Sequence, residues 1–277
     1  MRPSEVARRA ADYLERHDVD APRATAEILL ADVLGTDRTG VYAREAGLTT
    51  QEARRFGRAL CRRCAGTPLQ HLTGRQAFRR LDLRVRPGVF IPRPETEILV
   101  DAALELIAGA AAPLVVDVGT GTGAVALAIA DEHPGAKVHA TDVSDAALDL
   151  AAENARLLGL PIELHRGDLL AGLPPTLRGA ADAIVSNPPY VDPASADDVP
   201  VEVRADPAVA VYATPELTAR LLHEAYAWLR PGGGVAVEIE DSTAAEVTTA
   251  AREAGFGSVA VRPDLNGRDR VVVARRP

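Results

Sequence analysis

The chain has 277 residues, of which 47% are hydrophobic and 25% are charged, and its formal net charge is -8. This is the composition of a folded globular protein of one or two domains, and the acidic balance argues against a protein that mainly coats nucleic acid. No stretch approaches the ~20 apolar residues of a membrane span, and the charged N-terminus lacks the apolar core of a secretory signal. Two cysteines favour a reducing compartment, so we expect a cytoplasmic protein.

The first part of the chain predicts helices only. Apolar residues recur at helical spacing over residues 3–17, 21–35 and 49–66, and Gly35 is a plausible stop. A small helical domain is therefore expected at the N-terminus.

Arginines accumulate over residues 53–93, where Asp82 is the single acid. Two interpretations stay open: a solvated helix face, or a docking patch for an acidic partner. Within this stretch, apolar and polar residues alternate from Leu81 to Val85, and Pro87-Gly88 is a turn signal. The pattern predicts a β-hairpin that joins two domains.

Strands and helices alternate in the remainder of the chain. Repeated strand–helix units predict an α/β fold with a mostly parallel, doubly wound sheet. A helix over 214–233 is expected to end in Pro-Gly-Gly. The last two strand patterns, over 258–264 and 270–276, predict a hairpin that adds an antiparallel edge strand.

Three of these strands end in an acidic residue. The first ends at Asp117, and Gly119 and Gly121 follow in a turn that lets the backbone approach a ligand closely. A carboxylate before the glycines suits a cationic amino group, Asp142 suits ribose hydroxyls, and Asp168 suits an adenine edge. Any one acid alone would be read as a helix N-cap. Together they predict a site for S-adenosyl-L-methionine.

The fourth strand ends in Asn187-Pro188-Pro189-Tyr190. Ligands of open α/β sheets bind outside the carboxyl ends of the strands, so Asn187 should face the same crevice. The two prolines lock φ and keep the Pro188 carbonyl out of the strand ladder. The alternative is a rigid loop that merely leaves the sheet.

Asn-Pro-Pro-Tyr after the fourth strand resembles the signature of class I methyltransferases that modify a planar nitrogen. The stretch "HLTGRQAFRRLDLRVRPGVFIPRPETEILV", the glycine loop "DVGTGTGAVALAIA" and the C-terminal "AGFGSVAVRPDLNGRDRVVVARR" are similar to the HemK/PrmC protein-(glutamine-N5) methyltransferases. The resemblance extends over essentially the whole chain. It implies a Rossmann-like class I methyltransferase domain with a seven-stranded, mostly parallel sheet. It also implies a helical substrate-recognition domain over 1–75, a hairpin linker over 76–91 and a catalytic domain over 92–277.

The resemblance implies a role for each matching residue, with S-adenosyl-L-methionine as cofactor, S-adenosyl-L-homocysteine as product and no metal. The implied cofactor-binding residues are Arg93, Thr96, Asp117, Gly119, Thr120, Gly121, Asp142, Val143, Asp168, Leu169 and Asn187. The implied catalytic residues are Asn187, Pro188, Pro189 and Tyr190, and those lining the substrate channel are Phe90, Arg93 and Glu238.

The chain departs from the family pattern near the expected substrate. Glu240 stands where the family has glycine, Thr243 replaces a glutamine, and the acids Asp197, Asp198 and Glu202 follow the Asn-Pro-Pro-Tyr motif. An extra carboxylate at Glu240, as a further substrate-binding residue, together with these loop acids would favour a cationic acceptor such as a guanidine. The other interpretation is that these acids are solvated loop charges.

Four hypotheses follow for the function. The first is N5-methylation of the glutamine in a release factor Gly-Gly-Gln motif, with the release factor as protein partner. The second is methylation of a small-molecule amide or guanidine such as free arginine. A nucleic-acid adenine methyltransferase is less favoured because of the acidic loop, and a non-enzymatic binding module is disfavoured by the intact motifs.

Overall fold

The structure is a computed structural model that describes residues 1–191 and 206–277. The described residues form two compact units, one over 1–75 and the other over 76–191 together with 206–277. The acids Asp197, Asp198 and Glu202 lie outside the described residues.

The first unit is helical, as its apolar periodicity predicts. Its helices are α1 (Pro3–Glu15), α2 (Pro22–Leu34), α3 (Arg38–Ala43), α4 (Thr50–Cys64) and α5 (Leu69–Thr73). Thr49 and Glu52 form a capping box at the start of α4, and Gly35 ends α2 with a φ of 64°. Leu14, Leu30 and Phe56 are central members of a separate apolar core.

The hairpin lies earlier in the chain than the pattern predicts. Its strands are β1 (Arg75–Phe78) and β2 (Leu81–Arg84), and the turn is Arg79-Arg80. Pro87-Gly88 does form a turn, in which the Val89 nitrogen donates to the Arg86 carbonyl at 3.4 Å, but residues 85–93 form no strand, so the expectation that this turn closes the hairpin is wrong. The actual turn is stabilised from outside the hairpin. The guanidinium of Arg79 donates to Asp101 at 2.6 Å and to Glu132 at 2.8 Å.

The second unit contains a seven-stranded sheet with helices on both faces. The strands are β3 (Leu114–Val118), β4 (Lys137–Asp142), β5 (Glu163–Arg166), β6 (Ala181–Ser186), β7 (Leu229–Glu238), β8 (Ser258–Pro263) and β9 (Asp269–Arg275). The helices are α6 (Glu97–Leu106), α7 (Ala124–Glu132), α8 (Asp145–Leu158), α9 (Ala208–Val211), α10 (Pro215–Trp228) and α11 (Ala244–Glu253). Helix α10 ends before the predicted Pro-Gly-Gly stop, because that tripeptide belongs to β7.

The strand order is β5-β4-β3-β6-β7-β9-β8. Strands β3 to β7 pair in parallel, so the predicted α/β fold with a mostly parallel sheet is confirmed. The antiparallel strand, β9, is not at the edge, because it pairs with β7 on one side and β8 on the other. Its Val271 and Val272 are fully buried, whereas β8 has no buried residue, and so the more apolar strand takes the inner position.

Alternate residues of the sheet supply two apolar layers. Val115 and Val185 pack with α6 and α7 on one face, and Val116 and Ile184 pack with α10 and α11 on the other. The carboxyl ends of the parallel strands consequently meet at one edge, which is the edge where the sequence predicts the site. Among the described residues, no helix is both long enough and apolar enough to cross a membrane.

Candidate active site

Asp117 lies near the end of β3 and is only 2% exposed. Its Oδ2 accepts hydrogen bonds from Thr120 Oγ1 at 2.7 Å and from the backbone nitrogen of Ala126 at 3.2 Å. Burial raises the pKa of Asp117 to about 7; the two hydrogen bonds oppose the rise, and the negative charge of Asp142 adds to it. A cationic group of a ligand would favour the ionised carboxylate and would be bound by it.

The glycine loop after β3 leaves open space above its backbone. Gly119 has a φ of 75° and Gly121 a φ of 57°, a region that favours glycine. A Cβ added at either position would meet no atom within 4 Å. The loop is tied to β4, since the backbone nitrogens of Gly119 and Thr120 donate to the Thr141 carbonyl at 2.9 and 3.0 Å.

Asp142 ends β4 and holds two backbone segments. Its Oδ2 accepts from the Gly121 nitrogen and its Oδ1 from the Ser144 nitrogen, both at 2.9 Å. Each carboxylate oxygen has a further lone pair, so Asp142 can still accept a ligand hydroxyl. The following residue, Val143, is 46% exposed and offers an apolar surface beside it.

Asp168 follows β5 and is bound to a partner that the sequence analysis missed. Arg220 Nη2 donates to its two oxygens at 2.7 and 2.9 Å. The Asp168 side chain is 61% exposed, and so one side of the carboxylate stays accessible. Leu169 beside it is buried and has a φ of 49°, which turns the chain away from the strand.

Asn187 follows β6, and its amide is held in one orientation. Asn187 Nδ2 donates to Thr96 Oγ1 at 3.1 Å, and Thr96 is only 4% exposed. The Oδ1 atom is therefore the end of the amide that remains as an acceptor. Pro188 is buried, and Ser186 Oγ donates to the Val118 carbonyl at 2.7 Å, which fixes the end of β6 against β3.

Glu238 ends β7 and is 2% exposed. Tyr190 donates its hydroxyl to Glu238 Oε1 at 3.4 Å, and Oε2 has no hydrogen-bond partner in the described part of the chain. Burial raises the pKa of Glu238 to about 7, although the nearby Thr96 hydroxyl and Arg270 oppose the shift. Burial also raises the pKa of Tyr190, and the adjacent Glu238 adds to the effect. Asn187, Thr96, Tyr190 and Glu238 thus form one polar cluster, in which Thr96 and Glu238 are buried and Asn187 and Tyr190 are half-buried.

Arg93 contacts Phe90 and Asp206. Its guanidinium carbon lies 5.2 Å from the centre of the Phe90 ring, and its Nη2 donates to Asp206 Oδ2. Asp206 is 6% exposed, and its other oxygen accepts from the Ile91 nitrogen at 3.1 Å. Burial raises the pKa of Asp206 even though Arg93 opposes the shift. This ion pair orders the segment between the hairpin and α6.

Glu240 is exposed, two residues beyond the buried Glu238. Its backbone carbonyl accepts from Thr243 Oγ1 at 2.8 Å, which stabilises the turn before α11. Glu240 is exposed, yet its negative charge adds to the rise in the pKa of Tyr190.

Comparison with known proteins identifies the family. A model of the PrmC N-terminal domain matches residues 5–74, and one of the methyltransferase small domain matches residues 81–204. A release factor glutamine methyltransferase of Moorella thermoacetica is 44% identical over 266 residues, which are 93% of each chain. One of Deinococcus radiodurans is 42% identical over 282 residues, with 100% of this chain and 99% of that chain covered. The chain belongs to the release factor glutamine methyltransferase family.

The predicted HemK/PrmC resemblance is thereby confirmed. A crystal structure of a methyltransferase from Pyrococcus furiosus agrees in fold, with a TM-score of 0.52, 18% identity and coverage of 72% of this chain and 91% of that one. As in any class I methyltransferase fold, the motifs lie at the carboxyl ends of the strands.

Sequence reasoning for this family member missed three partnerships. Asp206 pairs with Arg93, Arg220 pairs with Asp168, and Thr96 anchors Asn187 instead of standing only beside the cofactor loop. The sequence contains one signal for the first partnership, because Asp206-Pro207 matches an acidic residue and proline that the family carries after the Asn-Pro-Pro-Tyr motif. The other two partnerships join residues far apart in sequence and have no local signature.

Proposed function

We propose that this chain transfers a methyl group from S-adenosyl-L-methionine to the N5 amide nitrogen of the glutamine in a release factor Gly-Gly-Gln motif. The observation that carries the proposal is the hydrogen bond from Asn187 Nδ2 to Thr96, which leaves Asn187 Oδ1 as an acceptor at the end of β6. The names of the relatives support a protein substrate. They do not favour a small-molecule acceptor such as free arginine, or an adenine base.

The residues along the carboxyl edge of β3, β4 and β5 fit the cofactor. S-adenosyl-L-methionine supplies an electrophilic methyl group on a sulfonium when it is bound. Asp117 would hold the amino group, Asp142 the ribose hydroxyls and Asp168 the adenine edge. The open space over Gly119 and Gly121 supports this assignment.

Neighbouring side chains would complete the cofactor site, and most of them are uncharged. Thr120 would keep Asp117 Oδ2 oriented through its hydroxyl, and Val143 and Leu169 would provide apolar contacts. Arg93 and Thr96 would act from one side, as positioning residues, because Arg93 is paired with Asp206 and Thr96 with Asn187.

Asn187 and Pro188 would orient the substrate amide. Its nitrogen has two hydrogens, and the Asn187 Oδ1 and the Pro188 carbonyl can each accept one of them. Both acceptors together turn the nitrogen lone pair toward the methyl group. Pro189 restricts the backbone of Pro188, so the carbonyl direction is fixed before the substrate arrives.

Tyr190 would provide a flat wall for the planar amide, and its hydroxyl is held by Glu238. Phe90 would line the approach to the site. Most of the rate gain comes from positioning and from acceptor dipoles that face developing positive charge. The nitrogen loses its proton after methyl transfer, so no dedicated strong base is required. The exposed Glu240 would contact the substrate at the rim of the channel, where its charge also acts on Tyr190.

The two units suggest a division of labour. We assign release factor recognition to the helical residues 1–75, a linker role to the segment that contains the hairpin (76–91), and catalysis to residues 92–277. A reaction on a release factor also fits the expected cytoplasmic location and a metal-free site.

The test is a methylation assay with isotope-labelled cofactor and four acceptors: a release factor, free arginine, small amides and duplex DNA. Mass spectrometry should locate the label on the Gly-Gly-Gln glutamine alone. Asn187→Ala should lower turnover by about 10²-fold or more while cofactor binding persists, because one of two orienting acceptors is lost. Asn266→Ala, at an exposed asparagine, is the control. Labelling of arginine but not of the release factor, or full turnover by Asn187→Ala, would contradict the proposal.

A further inference from the structure

Two neighbouring strands of the sheet bring two histidines and a glutamate together, away from the residues discussed above. His139 is on β4, and Glu163 and His165 are on β5. In the parallel register, His139 is opposite Glu163 and Thr141 is opposite His165. Residues two apart on a strand share a face, so all three side chains project from the same side of the sheet.

The donor atoms of the three side chains converge. His139 Nδ1 lies 3.0 Å from His165 Nε2 and 3.5 Å from Glu163 Oε2, and one donor atom from each residue lies within 4.8 Å of the other two. Ligand bonds of 2.0–2.2 Å at a tetrahedral zinc ion place the ligand atoms about 3.3 Å apart. The two direct distances bracket that value.

Burial divides the cluster into a fixed side and an open side. The His139 side chain is 8% exposed, whereas that of Glu163 is 71% exposed, so an ion has a path from solvent. A histidine binds a metal through the lone pair of its imidazole ring, and His139 Nδ1 faces the other two side chains. Thr141, opposite His165 and on the same face as His139, is fully buried, and its Oγ1 has no hydrogen-bond partner among the described residues. This hydroxyl is available to a water bound in the fourth ligand position.

We propose that His139, Glu163 and His165 bind one divalent transition-metal cation of the zinc type, with water as the fourth ligand. Two imidazoles and one carboxylate suit zinc and its neighbours, and they suit magnesium and calcium poorly because those ions require oxygen ligands. The ion cross-links β4 to β5.

The cross-link has a structural consequence for the edge of the sheet. Strand β5 has four residues and, within residues 1–191 and 206–277, pairs with β4 alone. Asp142 is the last residue of β4, and Asp168 lies two residues beyond β5. Fixing the two strands to each other therefore stabilises the edge that carries both acids, without any part in the transfer step.

The experiment is a calorimetric titration of the metal-stripped full-length protein with zinc chloride. Cys61 and Cys64 lie one turn apart on α4 and would compete for zinc, so both are first replaced by serine. Visible absorption with cobalt(II) then reports four-coordination. We expect one zinc equivalent and a rise of roughly 5 °C in the unfolding midpoint at about a hundredfold excess over the dissociation constant.

Two variants at the open side of the cluster avoid the folding risk of replacing the buried His139. His165→Gln should weaken zinc binding about tenfold or more and reduce the thermal shift at the same zinc concentration to about half or less, and Glu163→Gln should reduce both by a smaller factor. His223→Gln and Glu253→Gln change an exposed histidine and an exposed glutamate elsewhere, and they should bind zinc like the parent protein.

Three outcomes would overturn the proposal. They are the absence of a zinc equivalent in the parent protein, unchanged binding by His165→Gln, and magnesium binding as tight as zinc binding. Cofactor binding and release factor methylation depend on other residues, so failure of the zinc proposal leaves the proposed function intact.

Discussion

Asn187 shows how a single hydrogen bond can set the chemistry of a site. An amide side chain has a donor end and an acceptor end of nearly the same shape, and either could face the cleft. The Thr96 hydroxyl lies 3.1 Å from Asn187 Nδ2 and so selects the orientation in which Oδ1 is the free end. If Nδ2 faced the substrate nitrogen instead, two donors would meet and no hydrogen bond could form.

Replacing Thr96 by valine should therefore impair turnover more than binding. The shape is nearly conserved, but the Asn187 amide loses its partner and can rotate. We expect kcat to fall by about 10²-fold, as for a modest misplacement of a reacting group, and cofactor affinity to stay within about twofold. Thr218→Val, at a buried threonine of α10, is the matched control for loss of a buried hydroxyl. Equal kcat values for the two variants would argue that Thr96 does not orient Asn187.

Glu238 gives the protein a specific dependence of stability on pH. Its pKa is raised to about 7 in the folded state from an ordinary value of 4.5, so between these pH values the folded state binds more protons than the unfolded state. The stabilisation is present in full below pH 4.5 and is lost as the pH rises through 7. It amounts to about 3 kcal/mol.

Glu238→Gln should remove that loss, since the amide does not titrate. Urea unfolding at pH 5 and pH 8, followed by the fluorescence of the single tryptophan, Trp228, reports on the second unit. The free energy of unfolding is compared between pH 5 and pH 8. Its fall over this range should be smaller in the variant than in the parent, by about 3 kcal/mol. The exposed Glu253→Gln should behave like the parent. Parallel pH profiles for Glu238→Gln and the parent would refute the assignment.

The β3–α7 loop is the element on which the cofactor assignment depends most. Gly121 and Gly159 have similar backbones, with φ of 57° and 68°, and neither would place a Cβ within 4 Å of another atom. Gly159 caps the C-terminus of α8, whereas Gly121 lies between Asp117 and Asp142 at the site. The two positions separate backbone strain from ligand contact.

Gly121→Ala and Gly159→Ala should each lower the free energy of unfolding by about 1 kcal/mol, because alanine is strained at positive φ. Only Gly121→Ala should also weaken binding of S-adenosyl-L-methionine, by about tenfold or more, since its methyl group enters the space over the loop. Isothermal titration with the cofactor and urea unfolding measure the two effects. Equal cofactor affinities in the two variants would remove Gly121 from the site.

The elements that the sequence predicts well are those whose pattern is local. The run from Leu114 to Val118 and the acids that end β3 and β4 are readable from hydrophobicity and turn chemistry alone. The hairpin turn at Arg79-Arg80 is not, since its stabilising acids, Asp101 and Glu132, lie on α6 and α7. The sequence likewise does not show which strand of the C-terminal hairpin, β8 or β9, pairs with β7.

The candidate site likewise has residues that local motifs predict and contacts that only the fold shows. The Asn-Pro-Pro-Tyr motif and the glycine loop are contiguous, and so the acceptor and cofactor residues could be named in advance. The hydrogen bonds from Asn187 to Thr96 and from Ile91 to Asp206 join positions separated by 91 and 115 residues, and only the fold brings them together. The pair Glu163 and His165 does show a two-residue strand period, but its meaning depends on His139 in the neighbouring strand.

At the scale of the whole molecule, charge is distributed unevenly. The chain is acidic overall, yet α4 exposes Arg54, Arg55, Arg58 and Arg62, whereas Arg63 is buried. A solvated helix face and a docking patch for an acidic surface predict the same exposure. They differ in what happens when the charge is reversed, because only a docking patch affects a large partner and not a small one.

The double variant Arg58→Glu, Arg62→Glu tests this difference. If α4 docks the release factor, KM for the intact release factor should rise about tenfold at low salt, and the increase should shrink at high salt because screening weakens charge attraction. Turnover of a short peptide that contains Gly-Gly-Gln should not change, since the peptide lacks the rest of the release factor surface that α4 would dock. Arg8→Glu, Arg9→Glu reverses two exposed charges on α1 and controls for net charge. An equal change in KM for both double variants, or none for either, would identify α4 as a solvated face.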